Sequence, residues 1–140
     1  MELLRYNFNR SKYGSKKTVV DGKVFDSQKE ARRYSTLLML EKAGEISDLE
    51  CQKVFELIPA RYEMIETGEV YKRGINQGKP KTKRVCVEHP VTYIADYVYK
   101  DSSGDLVVED VKSPATRKKE SYIIKRKLML FIHNIKIKEV

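Results

Sequence analysis

The chain has 140 residues, enough for one domain with its own core and too few for two. Hydrophobic residues make up 41% and charged residues 34%, which excludes a disordered chain, and no apolar run approaches the roughly 20 residues of a membrane-spanning helix. Lys and Arg number 28 against 20 Asp and Glu, and the net charge of +8 points to a negatively charged partner, nucleic acid first.

Residues 1–18 read as a polar, basic arm carrying Lys12, Lys16 and Lys17. The opening MELLRYNFNR holds no signal-peptide core, and Cys51 and Cys86 fit neither a disulfide framework nor a zinc spacing. Both features place the expected protein in the cytoplasm. Asp21-Gly22, set between Val19-Val20 and Val24-Phe25, predicts a small hairpin. Ser27 then opens a helix running to about Ala43, with Ala31, Tyr34, Leu37, Leu38 and Glu41 on one flank and Gly44 as the stop.

From Leu49 to Ile58 the periodicity changes to two, which predicts a strand ended by Pro59. Gln52 on that strand reads as a substrate contact or, the favoured reading, an ordinary solvent-facing residue. Residues 60–90 hold Gly68, Gly74, Gly78, Pro80 and Pro90 among many charges. They predict a hairpin-like insertion with a mobile, basic tip around Arg73–Arg84, including Lys81, Lys83 and Arg84.

VTYIADYVY from Val91 to Tyr99 is a strand by its β-branched and aromatic content. Ser102–Gly104 make a turn, and Leu106–Lys112 form the next strand. A second helix spans about Lys118 to Ile132, with Ile124, Leu128 and Phe131 on one face and Lys118 and Lys125 as its candidate phosphate contacts. Ile135–Val140 alternates and predicts an edge strand with its lysines outward. The expectation is a single α/β domain over 1–140, in the order helix, three strands, helix, strand.

Strand alternation puts Asp96 on one face with Ile94 and Val98, and Asp110 on one face with Val108 and Lys112. The turn at 102–104 makes these strands antiparallel neighbours, so Asp96 approaches Asp110 and Lys112. Two hard carboxylates beside an ammonium suit Mg²⁺ or Mn²⁺ next to a phosphate. The bland alternative is an Asp–Lys ion pair on a solvated sheet face. Glu109 points to the opposite face and ranks below Asp110.

A strand aspartate, a turn, and a second strand ending in Asp-x-Lys resemble the core of the PD-(D/E)XK nuclease superfamily. Ala95-Asp96 stands at the "PD" position, with alanine for proline, and Asp110-Val111-Lys112 at the "(D/E)XK" position. The resemblance implies a restriction-endonuclease-like core, a mixed sheet flanked by helices. It also implies that Glu30 on the first helix joins Asp96 and Asp110 at the metal. Ser27-Gln28-Lys29-Glu30 is equally a capping box, and one carboxylate cannot serve both roles well. The runs KYGSKKTVVDGKVFDSQKEARRY, LECQKVFEL, YIADYVY and VEDVKS are similar to a small phage-encoded group of nuclease-like proteins.

On that resemblance the expected protein is a metal-dependent DNA endonuclease with Asp96, Asp110, Lys112 and Glu30 in its catalytic site. Its expected partner is DNA, with branched DNA preferred because no base-reading module is present. Small phage enzymes of the superfamily include dimeric Holliday-junction resolvases, which implies a homodimer in the bacterial host cytoplasm. The alternative is a non-catalytic nucleic-acid-binding protein on the same fold.

Overall fold

Asp21 and Gly22 both take the left-handed backbone, with φ of 49° and 73°, as a two-residue hairpin turn of the tightest kind requires. They join β1 (Thr18–Val20) to β2 (Lys23–Phe25) in antiparallel register. The computed structural model describes residues 16–140. Most of the basic arm, with Lys12, lies outside the described residues, while Lys16 and Lys17 are described and exposed.

Ser27 caps α1 (Gln28–Lys42), its hydroxyl accepting the Glu30 N–H at 3.1 Å. The remaining elements are β3 (Ser47–Ile58), β4 (Arg61–Val70), β5 (Pro80–Glu88), β6 (Val91–Lys100), β7 (Leu106–Asp110), the short α2 (Pro114–Arg117), α3 (Glu120–His133) and β8 (Lys138–Glu139). Four strands form one sheet in the order β3-β6-β7-β8. β6 and β7 are antiparallel and β7 and β8 parallel, so the fold is α/β with a mixed sheet. Among the described residues no helix is long and apolar enough to cross a membrane.

The chain divides into two compact units. The first holds residues up to Lys53, Ala95–Pro114 and Ile137–Val140. Its core gathers Phe25, Ala31, Tyr34, Leu37, Ile46, Tyr97, Tyr99 and Val111. Tyr34 is the junction: its ring centroid lies 5.0 Å from Phe25 and 6.1 Å from Tyr97, fastening α1 to β2 and β6. The flank that sequence periodicity marks on α1 is thus its buried side, with Ala31, Tyr34 and Leu37 inside and Glu41 exposed.

The second unit comprises Val54–Ile94 and Ala115–Lys136. β4 and β5 pair antiparallel as a long exposed ribbon, with register shifts at Arg61/Tyr62 and Glu66/Val70. The tip, expected to be mobile, is laced by backbone bonds: Tyr71 and Lys79 close the ribbon end at 3.0 Å, and Gln77 N–H reaches Gly74 at 3.0 Å.

Helix α3 departs from expectation. Its buried residues are Tyr122 and Met129, whereas Ile124 and Phe131 are exposed. At 100° per residue Ile124 stands opposite Tyr122, and the segment is apolar on both sides, so spacing alone does not choose the inner face. The final strand is shorter than its alternation implies, and Lys138 does not simply point outward: its Nζ lies 3.3 Å from the buried Glu109.

Candidate functional site

The register Tyr97↔Glu109 and Val98↔Val108 carries forward one step to set Asp96 across from Asp110 at the end of β7. Paired residues of an antiparallel ladder share a face, so both carboxylates leave the sheet on the same side. Their carboxyls are close enough that each bears on the other's charge. Burial, then the Asp110 hydrogen bond and charge, push the Asp96 carboxyl up to about 7, against the opposing pull of the Val111 N–H and Lys112. Contact with Asp110 therefore keeps the Asp96 carboxyl protonated to a higher pH than an isolated aspartate.

Three further groups fix the pair. The Val111 N–H donates to Asp96 at 2.7 Å, and the Gln52 side-chain amide donates to its other oxygen at 3.2 Å. Lys112 places its ammonium 2.9 Å from fully buried Asp110. Lys112 is itself held from behind, because Lys29 on α1 donates to the backbone carbonyls of Lys112 at 3.4 Å and Val140 at 2.9 Å. Asp96, Asp110 and Lys112 are therefore brought together by the fold.

Glu30 sits differently. Its N–H is bound by Ser27, and its half-buried carboxylate takes hydrogen bonds from Ser27 and from the backbone at Asp26. Desolvation raises its pKa in spite of those bonds and of the attraction of Lys112. Glu30 thus occupies the capping-box position while Lys112 stands within electrostatic reach of Glu30 and Asp96 alike. Among the described residues no group of three or more His, Cys, Asp or Glu is assembled as a metal cage.

The donor chemistry still suits a hard divalent cation. Asp96 and Asp110 are neighbouring carboxyls, and the charge of Asp110 opposes ionisation of Asp96; a cation between them would relieve that opposition. Mg²⁺ needs only one or two protein carboxylates and completes its shell with water.

Glu109, ranked low by sequence, is the organiser behind the site. Fully buried, it receives Arg33 Nε at 2.8 Å together with a second guanidinium nitrogen and the Tyr99 hydroxyl. These partners hold its carboxyl below the usual range despite burial. Successive acids on β7 thus face opposite ways, one locked to α1 and one aimed at Asp96.

Two features lie beyond the sequence expectations. Gln52 adopts a left-handed backbone, φ 54°, in the middle of β3, a conformation rare for a residue with a side chain. Only coordinates reveal that. Lys29, Arg32, Arg33 and Thr36 line a cleft of about 240 Å³ with Val111 and Val140. Their i, i+3, i+4, i+7 spacing on α1 was a usable signal.

The candidate phosphate contacts divide between the units: Lys16 and Lys17 belong with the carboxylates, and Lys81, Lys83, Arg84, Lys118 and Lys125 to the second unit. Lys81 is 3.6 Å from Glu69, and the Arg84 guanidinium stacks 3.7 Å above the Tyr62 ring.

The described residues therefore define an α/β protein with a mixed sheet and, at the junction of two antiparallel strands, a carboxylate pair of buried Asp110 and half-buried Asp96. Residues 10–139 match the family described as "Protein of unknown function (DUF1064)", and the chain belongs to that family. No curated protein and no solved structure matches the chain.

Proposed function

We propose that this protein is a metal-dependent DNA endonuclease of the PD-(D/E)XK kind. One observation carries the reading: the antiparallel register that sets Asp96 across from Asp110, with the Lys112 ammonium 2.9 Å from Asp110. With the β1–β2 hairpin, the β4–β5 ribbon and the short α2 set aside, the remaining elements run α1, β3, β6, β7, α3, β8, and that order of helix, three strands, helix and strand supports the reading. Asp96 and Asp110 would hold Mg²⁺ or Mn²⁺, with Glu30 adjoining. The ion would acidify a bound water and neutralise charge on the scissile phosphate.

The chain's own residues do the rest. Lys112 supplies positive charge where the phosphate becomes more negative during attack. Gln52 and the Val111 N–H keep both Asp96 oxygens aimed, and Lys29 fixes the backbone at Lys112. The exposed basic residues Lys16, Lys17, Lys83, Arg84 and Lys118, with Lys81 and Lys125, bind the phosphate backbone in a salt-dependent way. Branched DNA from phage recombination or repair is the proposed substrate, and a homodimer with two sites its proposed form. The test is cleavage of plasmid and four-way-junction DNA with Mg²⁺ or Mn²⁺. Asp110→Ala should abolish cutting while retaining the native circular dichroism; equal cutting by both proteins removes the assignment.

A second reading, a non-catalytic nucleic-acid-binding protein, is favoured by the engagement of Glu30 in the helix cap. DNA affinity without any cleavage, and without Mn²⁺ binding, would select it.

A further inference from the structure

We infer that the β4–β5 ribbon is a DNA-clasping arm whose tip residue, Ile75, wedges between base pairs from the minor groove. The inference rests on the reading of the protein as DNA-binding and specifies how one part of it engages the duplex.

Residues 71–84 (YKRGINQGKPKTKR) hold six basic side chains and no acidic one. β4 has ten residues, about 30 Å at the usual strand rise, and every one of them is exposed. That is a poor plan for a core element and a suitable one for a projecting arm. At its end the chain turns twice. Gln77 N–H bonds to the Gly74 carbonyl at 3.0 Å, and Lys79 N–H bonds to that of Asn76 at 3.0 Å. Gly78, at the third position of the second turn, supplies a left-handed backbone of φ 82°, and Gly74, which opens the first, has φ 84°.

Ile75 stands at the second position of the first turn and is 96% exposed. Turn positions favour Gly, Asn, Asp, Ser and Pro, for reasons of backbone and hydrogen bonding that isoleucine does not share. A solitary exposed apolar residue is ordinary. This one is presented on a laced turn and flanked in sequence by Lys72, Arg73 and Lys79, whose charges suit the phosphates on either side of a groove. Proteins that bend DNA through the minor groove use this combination: cations on the backbone and an aliphatic wedge that unstacks one step. Lower on the ribbon, the Arg84–Tyr62 stack and the Lys81–Glu69 pair fasten side chains across the two strands.

The experiment uses the full chain in EDTA, so that no hydrolysis intervenes, and a 30-base-pair duplex. The duplex carries 2-aminopurine at its TA steps and a donor–acceptor pair at its ends. Binding of the wild type should raise 2-aminopurine emission and increase end-to-end energy transfer. Ile75→Ala should lose both signals while weakening affinity less than about tenfold. The double variant Lys72→Ala/Arg73→Ala should lower affinity at least tenfold and reduce the log–log salt slope by about two. If Ile75→Ala gives the wild-type signals, the wedge is wrong and the DNA-binding reading stands. If the wild type binds no DNA, both fall. The Asp110→Ala cleavage test reads the hydrolase separately.

Discussion

Arg33 on α1 meets Glu109 on β7 as a two-pronged ion pair, with Nε 2.8 Å from Oε2 and the carboxylate wholly buried. The bond does more than join helix to sheet. Glu109 and Asp110 are consecutive and face opposite sides of the strand. Locking the first to α1 therefore fixes the direction of the second, toward Asp96.

Breaking that lock leaves a buried charge with weaker support. Arg33→Ala should destabilise the protein by about 3 kcal/mol, the lower end for a broken buried pair, because Lys138 and Tyr99 still reach Glu109. Arg33→Lys should recover only part of it, since an ammonium cannot supply the planar fork. Urea denaturation reads both values; a midpoint unchanged in Arg33→Ala contradicts the assignment.

The carboxylate pair makes stability fall with rising pH in the metal-free protein. Asp96 has an ordinary value of 3.8 and is raised to about 7 in the fold. Between those values the native state holds the extra proton, so stability is highest below about pH 4 for this group and declines toward pH 7. Glu109 acts in the opposite sense. Its pKa is lowered from 4.5, so its contribution is present above that value and is lost as pH falls further. Thermal melts in EDTA should show the decline from pH 4.5 to 7, and Asp96→Asn should flatten it. Mg²⁺ should stabilise more at pH 8 than at pH 5, because protons compete with the cation for the same oxygens. A melting temperature indifferent to pH in this window sinks the account of a raised Asp96.

Much of the first unit was legible in the chain. The Asp21-Gly22 hairpin, the Ser27 cap and the α1 stripe are local signals, written within a few residues. The approach of Asp96 to Asp110 also follows from a short turn and strict alternation. What sequence could not give depends on tertiary packing. Glu109 looked peripheral because its partners, Arg33 and Lys138, come from distant segments. The inner face of α3 was ambiguous because apolar residues surround it. Gln52 read as a solvent-facing residue because an unusual φ leaves no compositional trace.

That backbone supplies a paired substitution test. A side chain held at positive φ costs roughly 1 kcal/mol, and glycine avoids the cost. Gln52→Gly should therefore be about 1 kcal/mol more stable than Gln52→Ala, although both remove the 3.2 Å bond to Asp96. Both should also cleave DNA more slowly than wild type, because Asp96 loses one of its two aiming hydrogen bonds. Guanidinium denaturation and initial cleavage rates separate the effects. Alanine and glycine variants of equal stability would mean that the left-handed backbone is not strained there.

On the proposed metal-dependent reading, capping and metal binding would compete for Glu30, and an amide separates them. Ser27→Ala removes the cap hydroxyl and should destabilise by about 1 kcal/mol. Glu30→Gln keeps an acceptor for the cap, so its stability should change by less than about 0.5 kcal/mol. It removes the negative charge, however, from a half-buried position within reach of Lys112. Affinity for Mn²⁺, followed by electron paramagnetic resonance of the free ion, should then fall about tenfold, the scale on which supporting groups around a metal act. A native-like Glu30→Gln protein with wild-type Mn²⁺ affinity would assign Glu30 to the helix cap alone and leave Asp96 and Asp110 as the whole protein share of the metal site.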